Sequence, residues 1–181
     1  DVSFSAAVRD HDIDVTQISA RFADGTLTGR TKISGEGRDR RIAFDYTLKD
    51  ATLVRAVDIL QNYTARRNNQ PAPTPGKFLR EKANVHFDLT AAATGRYDDP
   101  LSYHGEGRAT LQGAGLGEVQ MLGLLSELFK FTALRFTSAK TTFKIDGAKL
   151  TFPDLTLRGA NSAIDAHGDF ALDRRILDFK A

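Results

Sequence analysis

Three stretches of this sequence carry residue types that could do chemistry. Gly113, Gly115 and Gly117 precede a segment with helical periodicity, as phosphate-cradling glycines do. Their spacing is G-x-G-x-G, whereas the dinucleotide fingerprint is G-x-G-x-x-G inside a parallel strand–helix–strand unit. Glycines that end a strand and free a helix start account for the run better. Such a helix start, with its unpaired N–H groups, could still hold an anion such as a lipid phosphate. Asp10-His11-Asp12 with Asp14 offers oxygen ligands for a hard cation, but the distal Glu and fixed Gly of a calcium loop are missing. A charged turn between strands is the simpler reading. The four histidines, His11, His86, His104 and His167, show no metal-ligand spacing and are expected at the surface or at strand edges.

Other chemistry is excluded by absence. There is no cysteine, so disulfides, thiolate metal sites and thiol nucleophiles fall together. No G-x-S-x-G elbow occurs, and no pair of carboxylates stands out as an acid and a base. The chain therefore reads as non-enzymatic, with no cofactor and no metal. Lys plus Arg is 25 against 23 Asp plus Glu, a balance that gives no electrostatic footprint for nucleic acid. No stretch has the roughly 18 consecutive apolar residues of a membrane-spanning helix.

What remains is apolar patterning, and it is mostly of period two. Val2, Phe4, Ala6 and Val8 alternate with polar residues. Ile13 and Val15 continue in one phase, Ile18, Ala20 and Phe22 in the other, and the slip at Thr16–Gln17 predicts a bulge. Asp24-Gly25 signals a hairpin and Gly35-Glu36-Gly37 a turn. Ile42, Phe44, Tyr46 and Leu48 form the clearest strand of the first half. Asp50 and Thr52 are N-cap candidates for a helix in which Leu53, Val54, Ala56, Val57, Leu60 and Tyr63 share one face.

Residues 64–80 hold three prolines and no apolar period, and are expected to be a mobile loop with several basic residues near it. Val85, Phe87 and Leu89 restart the strands, with Ala93-Thr94-Gly95 and Asp98-Asp99-Pro100 as punctuation. A second amphipathic helix is expected over 118–131, with Met121, Leu122, Leu124, Leu125, Leu128 and Phe129 on its apolar side. From Leu134 onward the chain alternates in short strands, with turns at Asp146-Gly147, Pro153-Asp154, Gly159–Ser162 and Asp173–Arg175.

Several identities recur at an offset of 70 residues. Val15, Ala23 and Gly25 return as Val85, Ala93 and Gly95, and Gly35-Glu36-Gly37-Arg38 returns as Gly105-Glu106-Gly107-Arg108. The expected architecture is accordingly α+β, mainly β. One curved antiparallel sheet of many short strands would carry two amphipathic helices, built from two similar strand–turn–strand–helix units in a single domain over residues 1–181.

The apolar residues of that sheet either fill a closed core or line a groove open along its length. A groove suits acyl chains, because binding them needs apolar area rather than placed polar groups. The candidate lining is Phe44, Tyr46, Phe87, Leu89 and Phe143, continued by Ile145, Phe152, Leu157, Ile164 and Phe170. The candidate cover is Leu53, Val57 and Leu60 from the first helix, with Leu122, Leu125 and Phe129 from the second.

Four stretches together resemble the AsmA family, in particular the C-terminal part of AsmA-like envelope proteins. They are Phe22–Gly29 (FADGTLTG), Thr52–Leu60 (TLVRAVDIL), Gly105–Phe129 and Phe143–Phe179. The resemblance implies a periplasmic segment of a larger Gram-negative protein whose N-terminal helix anchors it in the inner membrane. It implies a part in outer-membrane biogenesis and in phospholipid transport between membranes. Phospholipid or another acyl lipid, and other envelope proteins, are the partners it suggests. The alternative is an interaction scaffold of the envelope with a closed core and no ligand, recruiting proteins by strand addition.

Overall fold

A computed structural model describes residues 2–67, 69–71, 84–113, 136–174 and 176–180. Ten strands form one antiparallel sheet in which each strand pairs only with its neighbours in sequence. They are β1 (Val2–Arg9), β2 (Asp12–Phe22), β3 (Gly25–Ser34), β4 (Arg41–Thr52) and β5 (His86–Arg96). Then follow β6 (His104–Gln112), β7 (Phe136–Asp146), β8 (Lys149–Gly159), β9 (Ala163–Ala171) and β10 (Ile176–Lys180). The sheet is open, with β1 and β10 as its two edges.

Two-residue turns make several of the links. Ala23 and Asp24 both adopt positive φ (50° and 67°) between the paired residues Phe22 and Gly25, which is how a right-twisted hairpin closes. The turn thus lies one residue before the Asp24-Gly25 expected. Gly25 serves a different need: a Cβ there would sit 2.7 Å from the backbone nitrogen of Ala51.

The register carries alternation across all ten strands. Opposed residues in an antiparallel pair point to the same side, so a run of pairs traces a face. Leu27 opposes Leu48, Leu48 opposes Leu89, and Leu89 opposes Ala109. Ile145 opposes Leu150, which opposes Phe170, which opposes Leu177. One face is apolar from β1 to β10 and the other is polar. A single-residue slip would turn a strand's apolar set to water, so every irregularity must restore the phase. Gln17, at φ 52°, absorbs the predicted bulge in β2, where the register shifts between Val15 and Ile18.

Asp50 does the same in β4 at φ 54°, and so is not a helix cap. Its N–H donates to Asp88 Oδ1 (2.8 Å) and its carboxylate meets His86 (2.8 Å). Thr52 likewise turns away from the helix: its hydroxyl donates to Asp24 Oδ2 (2.8 Å), tying the helix start to the β2–β3 turn.

The helix α1 (Leu53–Arg67) follows directly from β4, its first amide donating to the Val85 carbonyl (2.9 Å). It buries Ala56, Val57 and Ala65, and Ile59 packs with Ala23, Leu48 and Ala51. A second buried cluster, Val85, Phe136, Ala139, Leu155, Leu157 and Ala166, takes in Leu53. Both clusters lie towards the end of the sheet from which α1 departs.

Three expectations about architecture are corrected. The α+β arrangement of two helices on one sheet gives way to an open ten-stranded meander with one helix among the described residues; the expected helix at 118–131 lies outside them. The 70-residue offset is not a structural repeat. Ala23 occupies a turn but Ala93 the middle of β5, and Gly35–Arg38 form a turn while Gly105–Arg108 lie within β6. Identical residues met different backbone because strand length, not local sequence, sets where each hairpin turns. The loop expected from residue 64 begins later, since Thr64–Arg67 continue α1 in helix-forming residues; residues 72–80 lie outside the described set.

Within the strands, Ala93-Thr94-Gly95 does not punctuate, and Pro153-Asp154 is a bulge inside β8 rather than a turn. The register of β8 with β9 shifts between Phe152 and Leu155, which keeps both on the apolar face. Proline is tolerated because the bulge removes its need to donate. Asp154 Oδ1 accepts the Thr142 hydroxyl and amide, both at 2.6 Å, and so pins the bulge to β7.

Those bonds, the hydroxyl first, hold the Asp154 carboxyl below the ordinary carboxylate value, with a smaller contribution from Arg108. A lowered folded-state value means stabilisation present above the unfolded value of about 4 and lost as pH falls through the folded one. Because the carboxylate is solvated, Asp154→Asn should cost only about 1 kcal/mol at pH 7. Thermal melts should show the gap between the two proteins closing as pH is lowered from about 5 towards 2.

Candidate functional site

The apolar face is unevenly covered. Near α1 the side chains are buried, whereas Ile42, Phe44, Phe143, Ile145, Leu150, Phe152 and Phe170 are all only half-buried. These residues come from β4, β7, β8 and β9 and lie away from the helix along the strands. Between them, β5 and β6 present small side chains: Ala91, Ala93 and Gly95 opposite Gly107, Gly105 and the turn at Tyr103.

Rings sit close over glycine backbone in this region. Gly107 opposes Phe143, and a Cβ on Gly107 would stand 2.7 Å from the ring's Cε2. Gly168 opposes Phe179 on one side and Phe152 on the other, and its Cβ would stand 2.7 Å from Cγ of Phe179. Removing a Cβ beneath a cross-strand aromatic lets the ring cover the backbone and shield it from water. The rings then meet one another, Phe143 with Phe152 at 6.3 Å between centroids and Phe152 with Phe179 at 5.5 Å. On β4, Phe44 stacks on Tyr46 at 5.4 Å and meets Tyr103 at 6.0 Å.

Polar atoms on this face are few and satisfied. Thr31 is buried, and its hydroxyl shares a hydrogen bond with the Tyr46 hydroxyl. Burial, then the neighbouring Tyr97, pushes the Tyr103 phenol up. Among the described residues no buried side-chain polar atom lacks a partner. A ligand on this face would meet mostly hydrocarbon, with the hydroxyls of Thr31, Tyr46 and Tyr103 as its few polar groups.

The candidate lining residues share that face. Phe44, Tyr46, Phe87, Leu89, Phe143, Ile145, Phe152, Ile164 and Phe170 are half-buried, and Leu157 is buried in the core cluster. Phe87 and Leu89 pack against the core under α1, and Ile164 packs against the Leu157 cluster, so these four belong to the covered end. Of the cover, Val57 is buried and Leu53 half-buried, but Leu60 is 59% exposed, as is Tyr63 (62%), which was expected on the same helix face. The 100° spacing carries the apolar stripe through both, but the later turns bury Ala65 and half-bury Gln61 and Asn62 instead, so the covered side of α1 turns away from Leu60 and Tyr63. Leu122, Leu125 and Phe129 lie outside the described residues, as do Gly115, Gly117 and the anion site suggested there. Leu150, Ala91, Gly105 and Phe179 belong to the face and were missing from the expected lining; the period-two phase of their own strands carries the signal.

The polar face is a field of solvated cross-strand pairs. Lys32 meets Asp12 at 3.2 Å, Lys149 meets Asp169 at 2.9 Å, and Arg158 meets Asp165 at 3.2 Å, all well exposed. Hydrogen bonds from Lys149, then Thr151, hold the Asp169 carboxyl low. A recess of about 430 Å³ on this face is lined by Thr90, Glu106, Arg108, Thr142 and Lys144 among others, with both signs of charge and no enclosed carboxylate. His11 pairs with Glu36 and His104 with Asp146 (2.8 Å), at exposed positions, while Asp12 is taken by Lys32. No group of three or more potential metal ligands occurs among the described residues. None of the helices described there is long and apolar enough to cross a membrane.

Comparison with family models, with curated proteins and with solved structures finds no match for this chain.

The close seat of Phe143 on Gly107 makes a direct test. Gly107→Val should displace the ring and cost about 2–3 kcal/mol by overpacking. For a chain of this size that lowers Tm by roughly 5–10 °C. Near-ultraviolet circular dichroism and thermal melts check it. Thr90→Val, a β-branched change on the opposite face, should leave Tm within about 2 °C, as surface substitutions do.

Proposed function

We propose that this chain is a non-enzymatic segment of a cell-envelope protein that holds phospholipid or another acyl lipid against the open half of its apolar sheet face. The observation that carries this reading is the uneven cover. α1 serves one end of the face, while Phe44, Phe143, Ile145, Phe152 and Phe170 remain half-buried on four strands beyond it. Each methylene laid against such a surface is worth about 0.8 kcal/mol, so an acyl chain gains affinity from length alone. The rings seated over glycine add apolar area close to the backbone of the sheet. A lipid bound this way is chosen for its hydrocarbon, consistent with the scarcity of polar groups on the face.

The resemblance to AsmA-like envelope proteins fits the same reading. It assigns the parent protein to the periplasm of a Gram-negative bacterium, anchored in the inner membrane and working in outer-membrane biogenesis and lipid transport. The competing reading, an envelope scaffold with a closed core, calls for lining residues as buried as Leu157, and most of them are not.

Native mass spectrometry of protein incubated with phosphatidylethanolamine–phosphatidylglycerol vesicles tests the proposal. Phospholipid should remain bound to the wild-type chain. Phe152→Asp and Phe44→Asp should reduce retention roughly tenfold, the effect of losing about 1.4 kcal/mol. Thr28→Asp, on the polar face, should leave it unchanged. Absence of bound lipid on the wild-type chain, or equal retention by folded Phe→Asp variants, would overturn it.

A further inference from the structure

We infer that a phospholipid on the open half of the apolar face lies across the strands, with its ester carbonyls at Tyr46 and Tyr103 and an acyl chain running over β7, β8 and β9. This inference rests on the lipid reading above and adds an orientation to it. The rings of the open half are sorted by kind. Tyr46 and Tyr103 bracket Phe44, at 5.4 and 6.0 Å between centroids, so the phenols gather over β4 and the start of β6. Beyond β6 the rings are phenyl groups, those of Phe143, Phe152, Phe170 and Phe179. The two phenols have protons to give. Tyr46 and Thr31 share one hydrogen bond between two hydroxyls, which leaves the pair one proton to donate elsewhere. The Tyr103 hydroxyl has no hydrogen-bond partner among the described residues, and its oxygen is not sealed from solvent. Burial of its ring holds that proton more firmly.

Over β7, β8 and β9 the open half carries no free hydroxyl among the described residues. Thr141 stands opposite Leu155 of the covered cluster and donates its hydroxyl to the Thr142 carbonyl (2.8 Å). The register supplies a path of matching length. Gly105, Ile145, Leu150 and Phe170 oppose one another in turn, a row that crosses from β6 to β9, and Phe143 and Phe152 flank it. Three inter-strand steps of about 4.8 Å span roughly 14 Å. That is close to the depth of one leaflet, about half of a hydrocarbon core of ~30 Å. An acyl chain whose ester sits at Tyr103, just before Gly105 in the chain, therefore ends over β9. The reverse orientation would press the ester carbonyls against Leu150 and Phe170, where they would lose water and gain no donor.

Two probes test the orientation. Phosphatidylcholine carrying a nitroxide on one acyl chain, either near the ester or near the methyl end, is added to the wild-type chain, and amide signals are followed by nuclear magnetic resonance. The label near the ester should broaden Ala93 more than Phe170, and the label near the methyl end should broaden Phe170 more than Ala93. Diester phosphatidylethanolamine is then compared with its diether analogue, which keeps headgroup and chains but lacks the carbonyl acceptors. Native mass spectrometry should show the wild-type chain retaining the diester about fivefold better, the effect of one or two neutral hydrogen bonds. Tyr103→Phe, which removes no bond within the fold, should reduce that preference to about twofold. Equal or reversed broadening at the two ends would overturn the inference while lipid binding stood. So would equal retention of diester and diether by the wild-type chain, or a preference that Tyr103→Phe leaves at its full size. No broadening with either label would overturn the lipid reading itself, and the orientation with it.

Discussion

The constraint on which this molecule depends is that most large apolar residues of its strands fall on one side of a single sheet. Among the described residues the ten strands form one sheet joined in sequence order, with no second sheet to pack against. A sheet normally satisfies that face by stacking on another layer. Among the described residues α1 supplies a layer at one end, and the two buried clusters mark its reach. The rest of the face is managed locally, by rings laid over glycine and by contact between those rings.

Keeping ten strands in phase is the second requirement, and the bulges show how it is met. Gln17, Asp50 and Pro153-Asp154 each mark a residue too many between two apolar positions, and each is absorbed by a register shift. Without them Ile18, Ala51 and Leu155 would face water. Side chains secure the two later irregularities: Asp88 and His86 at Asp50, and Thr142 at Asp154. The polar face thus supports the apolar one, holding strand alignment through bonds that are individually weak and solvent-screened.

This division of labour bears on function. The polar face offers paired charges without enclosure, and the apolar face offers area with few polar groups. A surface of that kind discriminates little between acyl ligands and gains strength by extent.

Much of this was legible in the sequence. Period-two alternation located the strands, the slip at Thr16–Gln17 located a bulge, and Asp146-Gly147, Asp98-Asp99-Pro100 and Gly159–Ser162 located turns. These are local properties, fixed by side-chain phase and by the φ values that glycine, asparagine and aspartate tolerate. Ten candidate lining residues fell on one face for the same reason. Tertiary structure alone decided how much of that face is covered. Leu60 and Tyr63 have the spacing of buried residues, but the later turns of α1 bury Ala65 on another side. Phe87 and Phe44 have the same phase in adjacent strands, yet one packs under α1 and the other does not. The 70-residue identities meant nothing structurally, because equal residues landed at unequal distances from the hairpin ends. Phase is written residue by residue along the chain, whereas cover depends on where a helix ends relative to strands distant in sequence.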